Sequence, residues 1–184
     1  LATLSYQGTL GYTGADTLTV TSTDTSASTA TSTVAITVTP DAPVNTVPGA
    51  QTAVENTALA IGGVSVSDVD SDLSTVQLAV SHGTVTVNLA GGATISAGAN
   101  GTGTLTLSGT VVQIDAALAT LSYQGTLGYT GADTLTVTSR DTGGSTATST
   151  VAITVTPDAP VNTVPGAQTA VENTALAIGG VSVS

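Results

Sequence analysis

Asp68, Asp70 and Asp72 stand at alternate positions of this 184-residue chain, an arrangement suited to holding a metal ion. They follow the alternating residues 64 to 67, and on an extended strand side chains two and four positions apart share one face. Three carboxylates on one face repel each other unless a cation neutralises them. Because Ca²⁺ takes about six to eight oxygen ligands, the spacing indicates a calcium site. The alternative is a strand that ends in a polar turn, where Asp and Ser bond to backbone groups.

The composition gives little support to catalysis. The chain has no cysteine, its only basic residue besides His82 is Arg140, and it contains no nucleophile motif. His82 precedes a glycine, where a turn residue is the ordinary interpretation and a metal ligand or a general base is the alternative. We therefore expect that this segment is not an enzyme.

The charge balance excludes two classes of partner. Twelve acidic residues face one arginine, which gives a net charge of −11. Such a polyanion repels nucleic acids and anionic membranes, whereas it attracts divalent cations. No apolar run approaches the roughly 20 residues of a membrane span. We expect neither nucleic-acid binding nor direct membrane insertion of this segment.

Residues 1 to 67 return 117 positions later as residues 118 to 184. Such self-similarity over a domain-sized period indicates a tandem array of one folding unit. All differences between the copies fall in one five-residue stretch: Thr23 against Arg140, Ser26 against Gly143, and Ala27 against Gly144. Asp24 and Asp141 lie in this stretch and do not change, which makes both candidate metal ligands.

The elements that must position these acids are β-strands. Threonine alternates with aliphatic residues in run after run, as in residues 17 to 21, 33 to 39, 84 to 87 and 102 to 107. A period of two with β-branched residues predicts half-buried strands, and glycine-rich turns separate them. We predict an all-β protein, a β-sandwich with seven to nine strands per repeat. One short helical turn is predicted within residues 110 to 121, whose apolar residues recur at helical spacing: Ile114, Ala117, Leu118 and Leu121.

Two proline-rich stretches predict the domain boundaries. Residues 39 to 45 and their copy at 156 to 162 follow a long strand, and proline ends strand pairing and stiffens a linker. We predict the end of one repeat at residues 1–40, a complete repeat at 41–157 and the start of another at 158–184. The two partial repeats belong to a longer array or are completed by strands of another molecule. Asp41 and Asp158 lie in the linkers themselves.

The order of these motifs resembles the cadherin-like tandem repeats of giant bacterial RTX-type adhesins, which have an Ig-like β-sandwich fold. The resemblance rests on the DxD of residues 68 to 70, the Leu-x-Val-x-x-x-Asp of residues 135 to 141, the stretch 131 to 137, the last strand at 150 to 155, and the Asp-Ala-Pro linker at 158 to 160. It implies that Asp68, Asp70 and Asp141 bind Ca²⁺ together with Asp41. It also implies that Glu55 and Glu172, on first strands, reach the site at the far end of the domain. The linker lacks the family's Asn before Asp, so we expect one or two ions per junction.

These observations predict a structural spacer. On this hypothesis the repeats form the calcium-stiffened arm of an extracellular adhesin at the bacterial cell surface, which supports cell adhesion and biofilm formation, and neighbouring repeats are its partners. The alternative is a self-assembling extracellular filament or sheath, in which identical chains pair or exchange strands. A third possibility is an adhesive module that binds its ligand through exposed aromatic residues. We expect the four tyrosines of the chain to be core or corner residues instead: Tyr6, Tyr12, Tyr123 and Tyr129.

Overall fold

The computed structural model describes residues 3–184, and the predicted all-β class with one short helix is confirmed. The described part of the chain contains fifteen strands and the helix α1 (Val111–Leu118). The strands are β1 (Gly14–Thr23), β2 (Thr29–Val38), β3 (Val44–Thr46), β4 (Gln51–Val54), β5 (Ala58–Ala60), β6 (Ser65–Ser67), β7 (Leu73–Ala79), β8 (Gly83–Thr86), β9 (Thr94–Gly98), β10 (Thr104–Ser108), β11 (Ser122–Gly125), β12 (Gly131–Asp141), β13 (Thr146–Thr156), β14 (Asn162–Thr163) and β15 (Ser182–Val183).

Strands β3 to β13 and the helix build a β-sandwich around one apolar core. One layer is a six-stranded sheet in the order β4-β13-β12-β7-β10-β9, and a second sheet has the order β5-β11-β8. All pairings are antiparallel except the one between β13 and β4. The alternating pattern explains the core, because aliphatic residues of each strand point inward and threonines point outward. The fully buried side chains include Val76, Leu78, Leu105, Leu107, Leu135 and Val137 from the large sheet, and Val85 and Tyr123 from the small one.

The number of strands exceeds the prediction. Residues 41 to 157 contain eleven strands instead of seven to nine. The excess comes from β3, β5 and β6, each of three residues. Segments this short contain no measurable alternation, so the sequence pattern could not separate them from the loops around them.

Helix α1 begins where the sequence predicts it. Thr110 caps the helix by accepting a hydrogen bond from the backbone N–H of Gln113, whose side chain accepts in return from the backbone of Thr110. Its inward face carries Ile114 and Leu118 into the core. The carboxylate of Asp115 accepts a hydrogen bond of 2.8 Å from the backbone N–H of Val66, which ties the helix to β6.

The two copies of the repeated hairpin differ in burial. Hairpin β1–β2 and hairpin β12–β13 have the same register. Val20 in β1 is 42% exposed, however, while its copy Val137 in β12 is fully buried. Tyr6 and Tyr12 are likewise exposed, whereas their copies Tyr123 and Tyr129 are fully buried and half-buried. The domain boundaries at 41 and 158 stay predictions. Within residues 3–184, no helix is long and apolar enough to cross a membrane.

The chain enters and leaves this sandwich at opposite ends of its longest strands. Asn45, in the first strand, donates hydrogen bonds of 3.1 Å to the carbonyls of Val137 and Ala147, close to the turn between β12 and β13. Thr156, at the other end of β13, pairs with Val54. Nine residue-to-residue steps of extended chain lead from Ala147 to Thr156, a span of about 30 Å.

Candidate metal centre

The predicted acidic cluster forms, although not by the predicted geometry. Asp68, Asp70 and Asp72 each place a carboxylate oxygen within 4.8 Å of the others. Strand β6 ends at Ser67, so the aspartates lie in the loop between β6 and β7 and not on a strand. The backbone bends there, with Ser71 at φ 62°. The bend brings the carboxylates together, and the expectation that strand alternation would do so was wrong.

Several oxygens of this cluster are buried without a hydrogen-bond partner. Both carboxylate oxygens of Asp68 and one each of Asp70 and Asp72 are shielded from solvent and accept no hydrogen bond among the described residues. A buried polar atom without a partner costs free energy, and a charged one costs more. A ligand that brings positive charge to these oxygens would therefore stabilise the loop.

A fourth carboxylate lies beside the cluster. Asp141 pairs with Leu73 in the sheet and is only 1% exposed. One of its oxygens accepts a hydrogen bond of 2.7 Å from the backbone N–H of Ser145, while the other is buried without a partner. Thr142 joins this turn to the cluster, because its hydroxyl donates to the Asp72 carboxylate over 2.9 Å. The structure thus brings Asp141 to the same end of the sandwich as the three loop aspartates.

The electrostatics of the cluster favour a cation. Burial raises the pKa of Asp68 to about 6, and repulsion by the neighbouring carboxylates of Asp70 and Asp72 adds to the shift. A pKa raised in this way shows that the ionised loop is destabilised where no counter-charge is present. Oxygen donors of this number and kind suit a hard divalent cation.

The linker aspartate lies at the edge of the site. Asp41 is exposed and lines a cavity of about 470 Å³ together with Val69 and Asp70. The same cavity is lined by the loop that precedes β1, from Gln7 to Tyr12. Asp41 therefore faces the acidic loop without belonging to the tight cluster.

The other predicted ligands do not join this cluster. Asp24 is exposed in the turn between β1 and β2, where one oxygen accepts from the backbone of Ser26 and Ser28 at 2.8 and 2.9 Å. Glu55 accepts hydrogen bonds from the backbone N–H of Gly128 and, at 3.4 Å, of Asp158. Glu55 and Asp158 thus meet at the end where the chain leaves the sandwich.

Glu172 is exposed, and the hydrogen bond found at this residue goes to its backbone carbonyl, from the Thr174 hydroxyl at 3.4 Å. As metal ligands, all of these residues stay predictions.

One buried acid, Asp133, is not among the predicted site residues. Its carboxylate accepts a hydrogen bond of 2.8 Å from the backbone N–H of the next residue, Thr134. It also accepts from the distant backbone N–H groups of Ser81 and His82, and from the Tyr123 hydroxyl at 2.9 Å. Burial alone would raise the pKa of Asp133, but these hydrogen bonds outweigh it and hold the pKa below its usual range. The sequence does contain a sign of this burial. Asp133 lies two positions before the core residue Leu135 and therefore on the same inward face of β12.

The His82 side chain has an aromatic partner. Its ring stacks on that of Tyr129 with centroids 3.9 Å apart and an interplanar angle of 10°. The backbone carbonyl of His82 accepts from the N–H of Thr126, which fixes the loop at the same end of the sandwich as Glu55.

Comparisons with known proteins assign the chain to no particular family. The β-sandwich is the class that the structure defines. A family model described as the Protein GAMETE EXPRESSED 2 domain matches residues 60–150, just under half of the chain. It is not a model of bacterial cadherin-like adhesin repeats. No curated protein matches the chain.

Among solved structures, the chain is similar to the fibronectin(III)-like modules of Clostridium thermocellum CbhA. The sequence identity is 16% and the TM-score is 0.36. The match covers 79% of this chain and 64% of that chain, less than two thirds of its length.

Proposed function

We propose that the chain is a spacer segment of a large bacterial cell-surface adhesin, in which Ca²⁺ stiffens the junctions between repeated β-sandwiches. The spacer would hold a distal binding domain away from the cell and so support adhesion and biofilm formation. Its partners are the neighbouring repeats, its location is extracellular, and catalysis is no part of the proposal.

The observation that carries the proposal is the set of buried carboxylate oxygens without partners. Asp68, Asp70 and Asp72 lie in one loop, and Asp141 lies in the adjoining turn with a buried oxygen of its own. An acidic loop alone is common on protein surfaces. A fully buried aspartate beside it, with one oxygen satisfied and the other free, is what a bound cation would explain.

Calcium fits this donor set better than other cations do. All candidate ligands are carboxylates, and the cluster contains neither histidine nor cysteine, which zinc prefers. Mg²⁺ demands a near-ideal octahedron, whereas Ca²⁺ accepts irregular oxygen shells. A loop that packs against a turn of the sheet provides the irregular oxygen shell of Ca²⁺ more readily than the near-ideal octahedron of Mg²⁺.

The path of the chain supports a spacer. Because the chain enters near the turn between β12 and β13 and leaves about 30 Å away beside Val54, repeats joined in series extend in one direction. The acidic loop lies at the entry end, where the linker residue Asp41 lines the same cavity. A cation there would reduce the freedom of the linker as well as stabilise the sandwich.

The bacterial adhesin is the finer part of the proposal and rests on the sequence resemblance. The stretches 68 to 70, 131 to 141 and 158 to 160 carry it. A lysine-free, cysteine-free, acidic repeat is compatible with the exterior of a cell, where millimolar calcium would fill sites of modest affinity.

A calcium titration followed by thermal unfolding tests the calcium proposal. At 100 times its dissociation constant, a ligand that binds only the folded state adds about 2.7 kcal/mol, which for a domain of this size raises Tm by roughly 10 °C. Asp141→Asn should reduce that rise strongly. Asp24→Asn, the same substitution in the exposed copy of the turn, should leave it unchanged. Identical melting of the wild type in calcium and in chelator would sink the calcium claim.

A second candidate function is the self-assembling filament, in which identical chains pair. The observation that favours it is the near-identity of residues 1–67 and 118–184. Identical strand edges can pair interchangeably, within one chain or between two molecules. Electron micrographs of the purified protein distinguish the two functions: isolated thin strings support the spacer, and ordered fibres support the filament.

A further inference from the structure

Two copies of one turn hold a leucine in solvent. Leu10 is 69% exposed and its copy Leu127 is 73% exposed. Both turns have the same hydrogen bond of 3.0 Å, from Tyr12 to Thr9 in one and from the corresponding tyrosine to threonine in the other. The glycine after each leucine has a positive φ, 77° at Gly11 and 81° at the copy. The local sequence therefore builds the turn, whether or not a sandwich surrounds it, and holds the leucine at its tip.

The first of these turns faces the acidic loop. Leu10 lines the same cavity as Val69, which is 68% exposed and stands between Asp68 and Asp70. The linker residue Asp41 lines that cavity as well. Two exposed apolar side chains, one on each of two consecutive repeats, thus border the space in which the candidate metal ligands of linker and loop face each other.

Cation binding and apolar contact favour the same closed arrangement of the junction. A cation held by Asp70 and attracting Asp41 draws the linker toward the loop, which narrows the cavity. Narrowing brings Leu10 toward Val69, and removing both side chains from water favours the closed arrangement. Closure in turn holds Asp41 near the cation, so ion binding and apolar contact reinforce each other.

We propose that the turn carrying Leu10 is the surface through which one repeat docks on the next, with Val69 of the following repeat as its partner once a cation bridges Asp41 and the acidic loop. This inference rests on the proposed calcium function. Leu127 presents the same surface at the end of the sandwich where the chain leaves.

Distance measurements between spin labels test the docking directly. The chain contains no cysteine, so Thr33→Cys in β2 and Gln77→Cys in β7, both at exposed positions, give one label on each side of the junction. We expect a broad distance distribution in chelator and a narrow one in calcium. Leu10→Ser should leave the distribution broad in calcium and weaken calcium binding by about fivefold, the lower end of ordinary coupling between sites.

Matched variants separate docking from other effects. Leu127→Ser makes the same change in the same turn, away from the acidic loop, and should behave as the wild type. Val69→Thr keeps the shape of the side chain and should broaden the distribution as Leu10→Ser does. If calcium narrows the distribution equally in Leu10→Ser and in the wild type, the docking inference is overturned while the calcium site stands. If calcium changes neither the melting nor the distances of the wild type, the proposed calcium function is wrong and cation-driven docking is wrong with it.

Discussion

Pro40 of the linker lies against Gly143 so closely that a Cβ atom at position 143 would overlap the proline ring. The copy of Gly143 is Ser26, in the exposed turn between β1 and β2. One of the few differences between the two copies therefore falls where a linker contacts the turn that carries Asp141. The next difference between the copies, Ala27 against Gly144, is explained by the backbone. Both residues have a positive φ, a conformation that glycine adopts without strain. Nothing in the structure explains the difference between Thr23 and Arg140.

The contact makes Gly143→Ser a test of the junction. The added side chain must push Pro40 away, and overpacking of this kind costs about 1 to 3 kcal/mol where the neighbours cannot move. We expect a lower Tm and weaker calcium binding, because Asp41 follows Pro40 directly. Thermal unfolding and calorimetric titration measure both. The matched change Ser26→Gly in the other copy should shift stability by less than about 0.5 kcal/mol; equal effects of the two variants would contradict a specific role for the contact.

The elements that could be predicted are those whose pattern is local. Alternation of threonine with aliphatic residues predicts β12 and β13 because each strand alone shows which face is buried. Helix α1 was predictable from the spacing of Ile114, Ala117 and Leu118, and its capping box is also a local signal. The proximity of the three loop aspartates followed from their closeness in sequence, even though the assumed strand geometry was wrong.

The features that could not be predicted depend on distant segments. Identical residues are exposed in β1–β2 and buried in β12–β13, since only the second hairpin has β7 beside it. No local pattern contains that information. Likewise, Asp133 receives hydrogen bonds from Ser81 and His82, about 50 positions away, and only the fold brings those backbone groups to it.

The buried carboxylate of Asp133 should be the most sensitive acid outside the metal centre. Asp133→Ala removes the acceptor of the N–H groups of Ser81 and His82 and leaves the Tyr123 hydroxyl only a 3.4 Å bond to the carbonyl of His82. Each buried donor left unsatisfied costs about 1 to 3 kcal/mol, so we expect a loss of several kcal/mol in denaturant unfolding. Asp16→Ala is the matched control, because half-buried Asp16 keeps the tyrosine contact, from Tyr6 at 2.7 Å, without a sandwich around it. A comparable loss in Asp16→Ala would refute the importance of burial.

The raised pKa of Asp68 predicts how the calcium-free protein responds to pH. The folded pKa, about 6, exceeds the unfolded value of about 3.9. The folded state therefore binds the proton more tightly, and the stabilisation by protonation is lost as pH rises from about 4 through 6. In chelator, we expect Tm to be higher at pH 5 than at pH 7.

Calcium should reverse this trend, since protons compete with the ion for the same oxygens, and the calcium-induced rise in Tm should be smaller at pH 5 than at pH 7. Asp68→Asn removes the titrating group and should flatten the response in chelator between these two values. Measurements stay above pH 4.5, because Asp133 has a lowered pKa and contributes stability that is lost at lower pH. If the wild type in chelator is less stable at pH 5 than at pH 7, burial and repulsion do not destabilise the ionised cluster, and the prediction is wrong.

Asn45 should fix the start of the domain to its longest hairpin. Its side chain donates to the carbonyls of Val137 and Ala147 at 3.1 Å and accepts from the Ser139 hydroxyl at 2.7 Å. Asn45→Ala leaves a fully buried hydroxyl without its acceptor, and we expect a loss of about 2 kcal/mol in denaturant unfolding. The entry strand β3 should also exchange its amide protons faster, because it is held by only one paired strand, β6. Asn162→Ala changes the copy of this residue in the exposed strand β14 and should be nearly neutral. If both variants are equally destabilised, the hairpin contacts of Asn45 are not what holds the entry strand in place.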